Sequence, residues 1–507
     1  MNERWDWAER WASYRPDKVA LKDGATGEVL TYGALNQRAN HLAHIIAGEW
    51  KLKVGDRIGL LAENNLTFVV LFVAAQKTGV TLVPMNWRLS PHEIDYLIQD
   101  SQPKVCIVQA RFRESLQQRA PHYQEINHLV DWEQLDEDLA SPDGVAYPST
   151  YSLQEDDPIF ILYTSGTTGF PKGALYTHRM LFWNSVNTAL RLDLTSQDIT
   201  LNVMPLFHTG GWNVLLTPFL HRGATTLILP SFEADRVLET LAKEGVTIFM
   251  GVPTMLKMLA DQPVFDQIDL EKLRYMIVGG EPMPIPLIEA WEKKGIPIRQ
   301  GYGMTEAGPN LTSLHHSDAI RKKGSIGKPN FYVQTRILHE SGVEAQANET
   351  GELLIKGPMV TPGYWGNSEA TKKALENGWL HTGDLVRQDE EGYLYVVDRI
   401  KNMFISGGEN VYPAEIERIL GQMEGIKEVA IIPTAHDKWG EVGKAFIVLE
   451  QGRTFSEAAA LAHCRTYLAK FKIPQSFVCL EELPKNGTGK IDRVALKNGA
   501  YSSVSSS

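Results

Sequence analysis

Short runs rich in β-branched and apolar residues, at 105–110, 225–230, 247–252 and 274–278, alternate with amphipathic stretches such as 287–294. Strands separated by segments of helical period pair most readily in parallel, because a parallel connection needs a crossover long enough to return to the same end of the sheet. An α/β fold with mostly parallel sheets is the expectation. The texture changes near 328. From about 328 to 398 short strands and turns dominate, as at 351–356 and 392–397, which predicts a β-rich subdomain. The last stretch reads as a further unit, with strands at 429–433 and 444–449, a helix through 456–470 and a turn-rich loop after it. A chain of 507 residues exceeds what one hydrophobic core organises. The expected division is a large N-terminal domain over 1–398, a hinge at 399–404, just before the conformationally free Gly407 and Gly408, and a small domain over 405–507.

Charge and cysteine content narrow the partners. The 50 Lys and Arg against 61 Asp and Glu leave a formal charge of -11, the wrong sign for gripping a polyphosphate backbone, so no nucleic-acid partner is expected. The three cysteines, Cys106, Cys464 and Cys479, form no CxxC pair, which argues against a disulfide framework or a structural zinc and for a reducing, cytoplasmic setting. The first residues carry both charge signs and several tryptophans but no apolar signal-peptide core, and read as mature. Residues 199–221 lack Asp, Glu, Lys and Arg and are long enough to cross a bilayer. They also hold Asn202, Pro205, His208, Gly210, Gly211, Asn213 and Pro218, so we read them as buried segments around a pocket. No membrane span is expected; peripheral association stays open.

The first chemical signal is the segment 163–173, Tyr-Thr-Ser-Gly-Thr-Thr-Gly-Phe-Pro-Lys-Gly, which follows an apolar run at 159–162 and precedes a stretch of helical character after Thr177. Strand, loop, helix is an arrangement that binds phosphate. Gly166 and Gly169 let backbone N–H groups approach an anion, Thr164, Ser165, Thr167 and Thr168 add hydroxyls, and Lys172 adds positive charge. The loop is not the Walker A sequence, because Lys172 is followed by Gly173 and preceded by Pro171. An ADP-forming ATPase or kinase is thereby weakened and kept as the alternative from another class. By itself the loop indicates phosphate, not a reaction.

Further along come 301–308 (Gly-Tyr-Gly-Met-Thr-Glu-Ala-Gly), 379–384 (Trp-Leu-His-Thr-Gly-Asp), 398–401 (Asp-Arg-Ile-Lys), 406–417 (Ser-Gly-Gly-Glu-Asn-Val-Tyr-Pro-Ala-Glu-Ile-Glu) and 484–490 (Pro-Lys-Asn-Gly-Thr-Gly-Lys). In this order and spacing, and over nearly the whole chain, the segments resemble the adenylate-forming superfamily of acyl-CoA synthetases, peptide adenylation domains and luciferases. The resemblance implies an adenylate-forming N-terminal domain and a mobile C-terminal α+β domain. It also implies a two-step chemistry: a carboxylate attacks the α-phosphate of ATP to give acyl-adenylate and pyrophosphate, then the thiol of coenzyme A displaces AMP. Such chemistry rests on positioning and on stabilising charge at phosphorus.

By the same resemblance, Lys490 bridges the substrate carboxylate and the α-phosphate, and Glu306 contacts Mg²⁺, with Thr168 a further metal contact. Thr305 reaches the α-phosphate, Tyr302, between Gly301 and Gly303, packs on adenine, and Gly280 and Glu281 border the nucleotide. Asp384 accepts from the ribose hydroxyls and Arg399 reaches ribose or phosphate. Lys401 is the hinge about which the small domain exchanges the Lys490 loop for the loop of Ser406, Gly407, Gly408 and Glu409, where Gly408 leaves room for the pantetheine arm. A monomer or homodimer is expected.

The acyl pocket is implied by residues 205–213, Pro-Leu-Phe-His-Thr-Gly-Gly-Trp-Asn. His208 matches the family histidine near the acyl carboxylate, Gly210 and Gly211 leave space beside it, and Trp212 stands at the mouth or wall of the acyl tunnel or else in the core. Leu206, Phe207, Val214, Leu215 and Leu216 make the surroundings apolar, which favours a fatty or aryl acid over acetate, medium-to-long chain first and aromatic second. Glu281 stands where many relatives carry a small residue, so a functionalised acid stays open.

Overall fold

The computed structural model describes residues 6–126, 128–148, 153–164, 171–280, 283–406, 409–436, 439–468, 470–486, 489–499 and 501. The chain divides into two compact units, residues 1–335 with 355–381, and residues 336–354 with 382–507.

The first unit is built on two sheets. In one, of nine strands among the described residues, Ile298–Met304, Tyr275–Val278, Ile248–Gly251, Ile199–Asn202, Thr225–Ile228 and Val19–Asp23 lie side by side and parallel. In the other, of six, His128–Asp131, Val105–Val108, Arg57–Leu61, Thr81–Pro84 and Pro158–Thr164 are parallel neighbours. Several of these strands, Ile248–Gly251 and Tyr275–Val278 among them, are buried along their whole length, as expected for parallel strands covered on both faces. The helix Leu66–Thr78 is likewise buried at every position, which fits a sequence apolar around its whole circumference. The Asn65 side chain accepts from the Phe68 N–H at its start and Gly79, at φ +74°, ends it.

Residues 199–221 resolve into the strand Ile199–Asn202 and the helices Thr209–Asn213 and Leu216–Arg222. Among the described residues no helix is long and apolar enough to cross a membrane. One expectation needs correcting. The helix His178–Leu192 begins after Thr177, as expected, and is capped by it, but a second strand, Lys172–Thr177, pairs antiparallel with Pro158–Thr164 between the glycine loop and that helix. The loop thus connects two antiparallel strands, with no helix N-terminus directly behind it.

In the second unit, Phe404–Ser406, Glu409–Val411, Ile426–His436, Gly440–Leu449 and Ser476–Leu480 form a five-stranded sheet. Where a turn-rich loop was expected, Ser476–Leu480 pairs parallel with Gly440–Leu449, and the helix Glu457–Tyr467 supplies the crossover. The same unit pairs residues 384–388 with 394–399 antiparallel, placing Asp384 opposite Arg399.

Candidate nucleotide and acyl site

Parallel strands deliver the first group of candidates at their C-terminal ends, where open α/β sheets bind ligands. Val278 pairs with Gln300, so Gly279 and Gly280 lie beside Gly301 and Tyr302. Gly280 has φ +86°, and Glu281 lies outside the described residues. Strand Ile298–Met304 then turns through the short 3₁₀ segment Thr305–Ala307 into the antiparallel strand Gly308–Leu314. A Cβ on Gly303 would stand 2.2 Å from the Pro309 backbone, so the close approach of the two strands requires glycine there.

The hairpin carrying the glycine loop sets Thr164 opposite Lys172 and Tyr163 opposite Gly173. Ser165, Gly166, Thr167, Thr168 and Gly169 lie outside the described residues. The edge strand Lys172–Thr177 is in turn flanked by 361–365: the Leu175 N–H donates to Gly363 O at 3.1 Å, the Trp365 N–H to Gly173 O at 2.7 Å, and the Thr361 hydroxyl to Leu175 O at 2.7 Å.

That strip holds Glu306 at both ends. The Thr361 N–H donates to the Glu306 carbonyl at 2.8 Å and the Tyr364 hydroxyl to Glu306 Oε1 at 2.9 Å. Burial, and then the neighbouring Glu306 charge, push the Tyr364 pKa well above the usual phenol value, so the hydroxyl stays a donor. The Lys172 ammonium lies 5.6 Å from the centre of the Tyr364 ring, so that ring is the shared neighbour of the loop lysine and the carboxylate. Sequence reasoning missed Tyr364; nothing in its local pattern singled it out, because its partner lies 58 positions away. Among the described residues no group of three or more His, Cys, Asp or Glu could hold a metal. A lone, 8 % exposed Glu306 fits a hard cation that takes its remaining ligands from water and phosphate, as Mg²⁺ does.

His208 stands at the N-cap position of the short helix Thr209–Asn213 without a capping side-chain hydrogen bond, its ring 4.7 Å from that of Phe207. The two glycines after it differ in kind. At Gly210 a Cβ would meet nothing closer than Met204 Cε at 4.0 Å, whereas at Gly211 it would stand 2.3 Å from Pro205 O. Gly210 leaves room; Gly211 is required by backbone packing, not by an acyl group. Trp212 is fully buried, its indole N–H donating to Leu206 O and its rings packed among Phe68, Phe72 and Phe160. Of the two sequence readings of Trp212, these contacts match the core one.

Three asparagines hold this turn, of which Asn184 and Asn310 were absent from the sequence reading. Asn184 donates to Asn213 O at 2.7 Å, Asn310 to Asn213 O and Val214 O at 3.2 Å each, and Asn202 to Gly211 O at 3.1 Å. A small void of about 10 Å³, close to the space of one water, adjoins Gly210, lined by Leu201, Met204, Val214 and Met250 with Asn202 and Thr200.

The second unit carries the remaining candidates. Asp384 is 2 % exposed and meets Arg399 Nε at 2.7 Å. Asp398 accepts from the Arg399 N–H at 2.6 Å and from the Ala414 N–H at 2.8 Å, tying the 398–401 turn to the start of helix Pro413–Leu420. Burial, then the charges of Arg399 and Lys490, lower the Lys401 pKa, so the hinge candidate and the loop lysine are electrostatic neighbours. Lys490 is exposed in a turn closed by Asn486, whose N–H donates to Lys490 O at 2.8 Å, with Gly489 at φ +81°. Ser406 is buried and pairs with Glu409; Gly407, Gly408 and the Glu409 side chain lie outside the described residues.

The chain matches the model of the AMP-binding enzyme over residues 8–365 and that of the AMP-binding enzyme C-terminal domain over 415–490. It is 37 % identical over 485 residues to the feruloyl-CoA synthase of an Amycolatopsis species, with 96 % of each chain covered. It is 36 % identical over 489 residues to the long-chain-fatty-acid–CoA ligase FadD13 of Mycobacterium tuberculosis, again covering 96 % of each. Among solved structures, O-succinylbenzoate coenzyme A synthetase (MenE) of Bacillus subtilis in complex with AMP aligns at a TM-score of 0.88 and 32 % identity, covering 97 % of this chain and 98 % of that one. The same enzyme in complex with ATP and magnesium ion aligns at 0.87, covering 97 % and 99 %. Full-length coverage on both sides, together with a glycine-loop hairpin beside parallel strands that end at Gly280 and Tyr302, places the chain in the AMP-binding enzyme family, among its AMP-forming acyl-CoA synthetases.

Proposed function

We propose that this chain is a Mg²⁺- and coenzyme A-dependent ligase for an aromatic carboxylic acid. The acid carboxylate attacks the α-phosphorus of ATP, the bond to the bridging oxygen breaks and pyrophosphate leaves. The thiolate of coenzyme A then attacks the acyl carbon and AMP leaves. Lys490 neutralises charge between carboxylate and α-phosphate in the first step, Thr305 donates to the α-phosphate, and Asp384 with Arg399 holds the ribose. Mg²⁺ held at Glu306 supplies charge neutralisation on the phosphate oxygens. Lys401 serves as the hinge between the two steps, and the 406–409 segment admits the pantetheine arm.

The single observation that carries the acid assignment is the recurrence of aromatic acids in the names of relatives 35–37 % identical to this chain. The relatives named for feruloyl and succinylbenzoyl substrates support that reading. A second reading, a medium- or long-chain fatty acid, is favoured by the leucine, valine and methionine lining and by the likeness to FadD13.

The test is pyrophosphate release with ATP and Mg²⁺ over cinnamic, benzoic, indoleacetic and C6–C16 fatty acids, with and without coenzyme A, followed by mass analysis. AMP plus an aryl-CoA is the expected product. Turnover confined to fatty acids would replace the first reading by the second, and ADP would overturn both.

A further inference from the structure

Glu306 is not presented as a bare carboxylate. Its Oε1 is taken by the Tyr364 hydroxyl at 2.9 Å, its own backbone carbonyl is taken by the Thr361 N–H, and its Oε2 has no hydrogen-bond partner among the described residues. Tyr364 is itself fixed. Its N–H donates to the Thr371 hydroxyl at 2.9 Å, residues 363 and 365 are hydrogen-bonded to the edge strand Lys172–Thr177, and its ring lies under the Lys172 ammonium.

From this geometry we propose that Tyr364 is a positioning residue for the divalent cation: by occupying Oε1 it turns the Glu306 carboxylate into a one-oxygen ligand, an arrangement that suits Mg²⁺ and disfavours Ca²⁺. The inference rests on the assignment of Glu306 as the metal contact. Mg²⁺ keeps a tight octahedral shell, usually with single carboxylate oxygens, whereas Ca²⁺ accepts larger coordination numbers and both oxygens of one carboxylate. A hydroxyl donating to one oxygen also fixes the carboxylate plane, and loss of such supporting groups typically weakens metal binding by about 10- to 100-fold. The Lys172 ammonium on the ring ties the same tyrosine to the glycine-loop hairpin, so the hairpin and the cation site share one anchor.

Tyr364→Phe keeps the ring over Lys172 and removes only the hydroxyl. The decisive readout is Mn²⁺ binding, followed by electron paramagnetic resonance in the presence of α,β-methylene-ATP, with Mg²⁺ and Ca²⁺ as competitors. In the Phe variant we expect about tenfold weaker Mn²⁺ binding, a competition ratio shifted toward Ca²⁺, and unchanged melting temperature and metal-free nucleotide affinity. Glu306→Gln should lose Mn²⁺ affinity as well. Wild-type Mn²⁺ affinity and selectivity in Tyr364→Phe, alongside loss in Glu306→Gln, would overturn the role of Tyr364 alone. Wild-type affinity in Glu306→Gln would overturn the metal assignment beneath it.

Discussion

Lys490 illustrates how little of its proposed role shows in its own surroundings. It is an exposed lysine on a five-residue turn, and its place in chemistry comes from the motif around it. We expect Lys490→Ala to slow acyl-adenylate formation by roughly 10²–10³-fold, the usual cost of deleting one positioned charge-stabilising group, while thioester formation from supplied acyl-adenylate stays near wild type. Equal loss in both half-reactions, measured by pyrophosphate release and by acyl-CoA appearance, would rule out that division of labour.

Buried histidines set a second residue-scale expectation. Burial holds the His178 and His221 imidazoles down to about 4, with Arg222 adding to the effect at His221, whereas unfolded histidine titrates near 6.5. Between those values the unfolded chain binds more protons, so their contribution to stability is full above about pH 6.5 and is lost as pH falls toward 4. Burial raises Asp136 to about 6, which works in the opposite sense between about pH 3.8 and 6. Two histidines outweigh one carboxyl, so the melting temperature should fall from pH 7 to pH 5 and fall less in His221→Gln. A flat profile in the wild type would contradict the burial assigned to these rings.

At the scale of elements, the adjoining glycines separate packing from space. Gly303→Ala would place a methyl 2.2 Å from the Pro309 backbone, which no side-chain motion relieves, so the 298–314 hairpin should distort, with a lower melting temperature and little activity. Gly210→Ala meets open space, so melting should be unchanged while KM for the acid rises. The reverse pattern would mean that the space beside Gly210 does not receive substrate. The strands at 105–108, 248–251 and 275–278, buried throughout, and 225–228, buried but for Thr225, were legible because buried parallel strands read as short apolar runs. Lys172–Thr177 was not, because its first residues look like loop and only pairing with Pro158–Thr164 makes them a strand.

At the scale of the whole molecule, the candidate groups are shared between two units, Glu306, Lys172, Tyr302 and His208 in one and Asp384, Arg399, Lys401 and Lys490 in the other. The proposed exchange of loops about Lys401 makes a kinetic demand. Gly408→Leu should leave pyrophosphate release intact and suppress acyl-CoA formation, with KM for coenzyme A raised; unchanged coenzyme A dependence would remove Gly408 from the thiol's path.

Motif order along the chain was enough to place it in a family and to single out candidate nucleotide groups, because those candidates are defined by local backbone chemistry: glycines that admit phosphate, a threonine–glutamate pair at a strand end, a lysine in a glycine turn. Tertiary structure alone decided that Gly211 serves packing and Gly210 space, that Trp212 belongs with Phe68, Phe72 and Phe160, and that Tyr364 holds Glu306. Each of these is a contact between residues far apart in the chain, and sequence spacing within one element carries no record of which distant side chain will fill the same volume or reach the same oxygen.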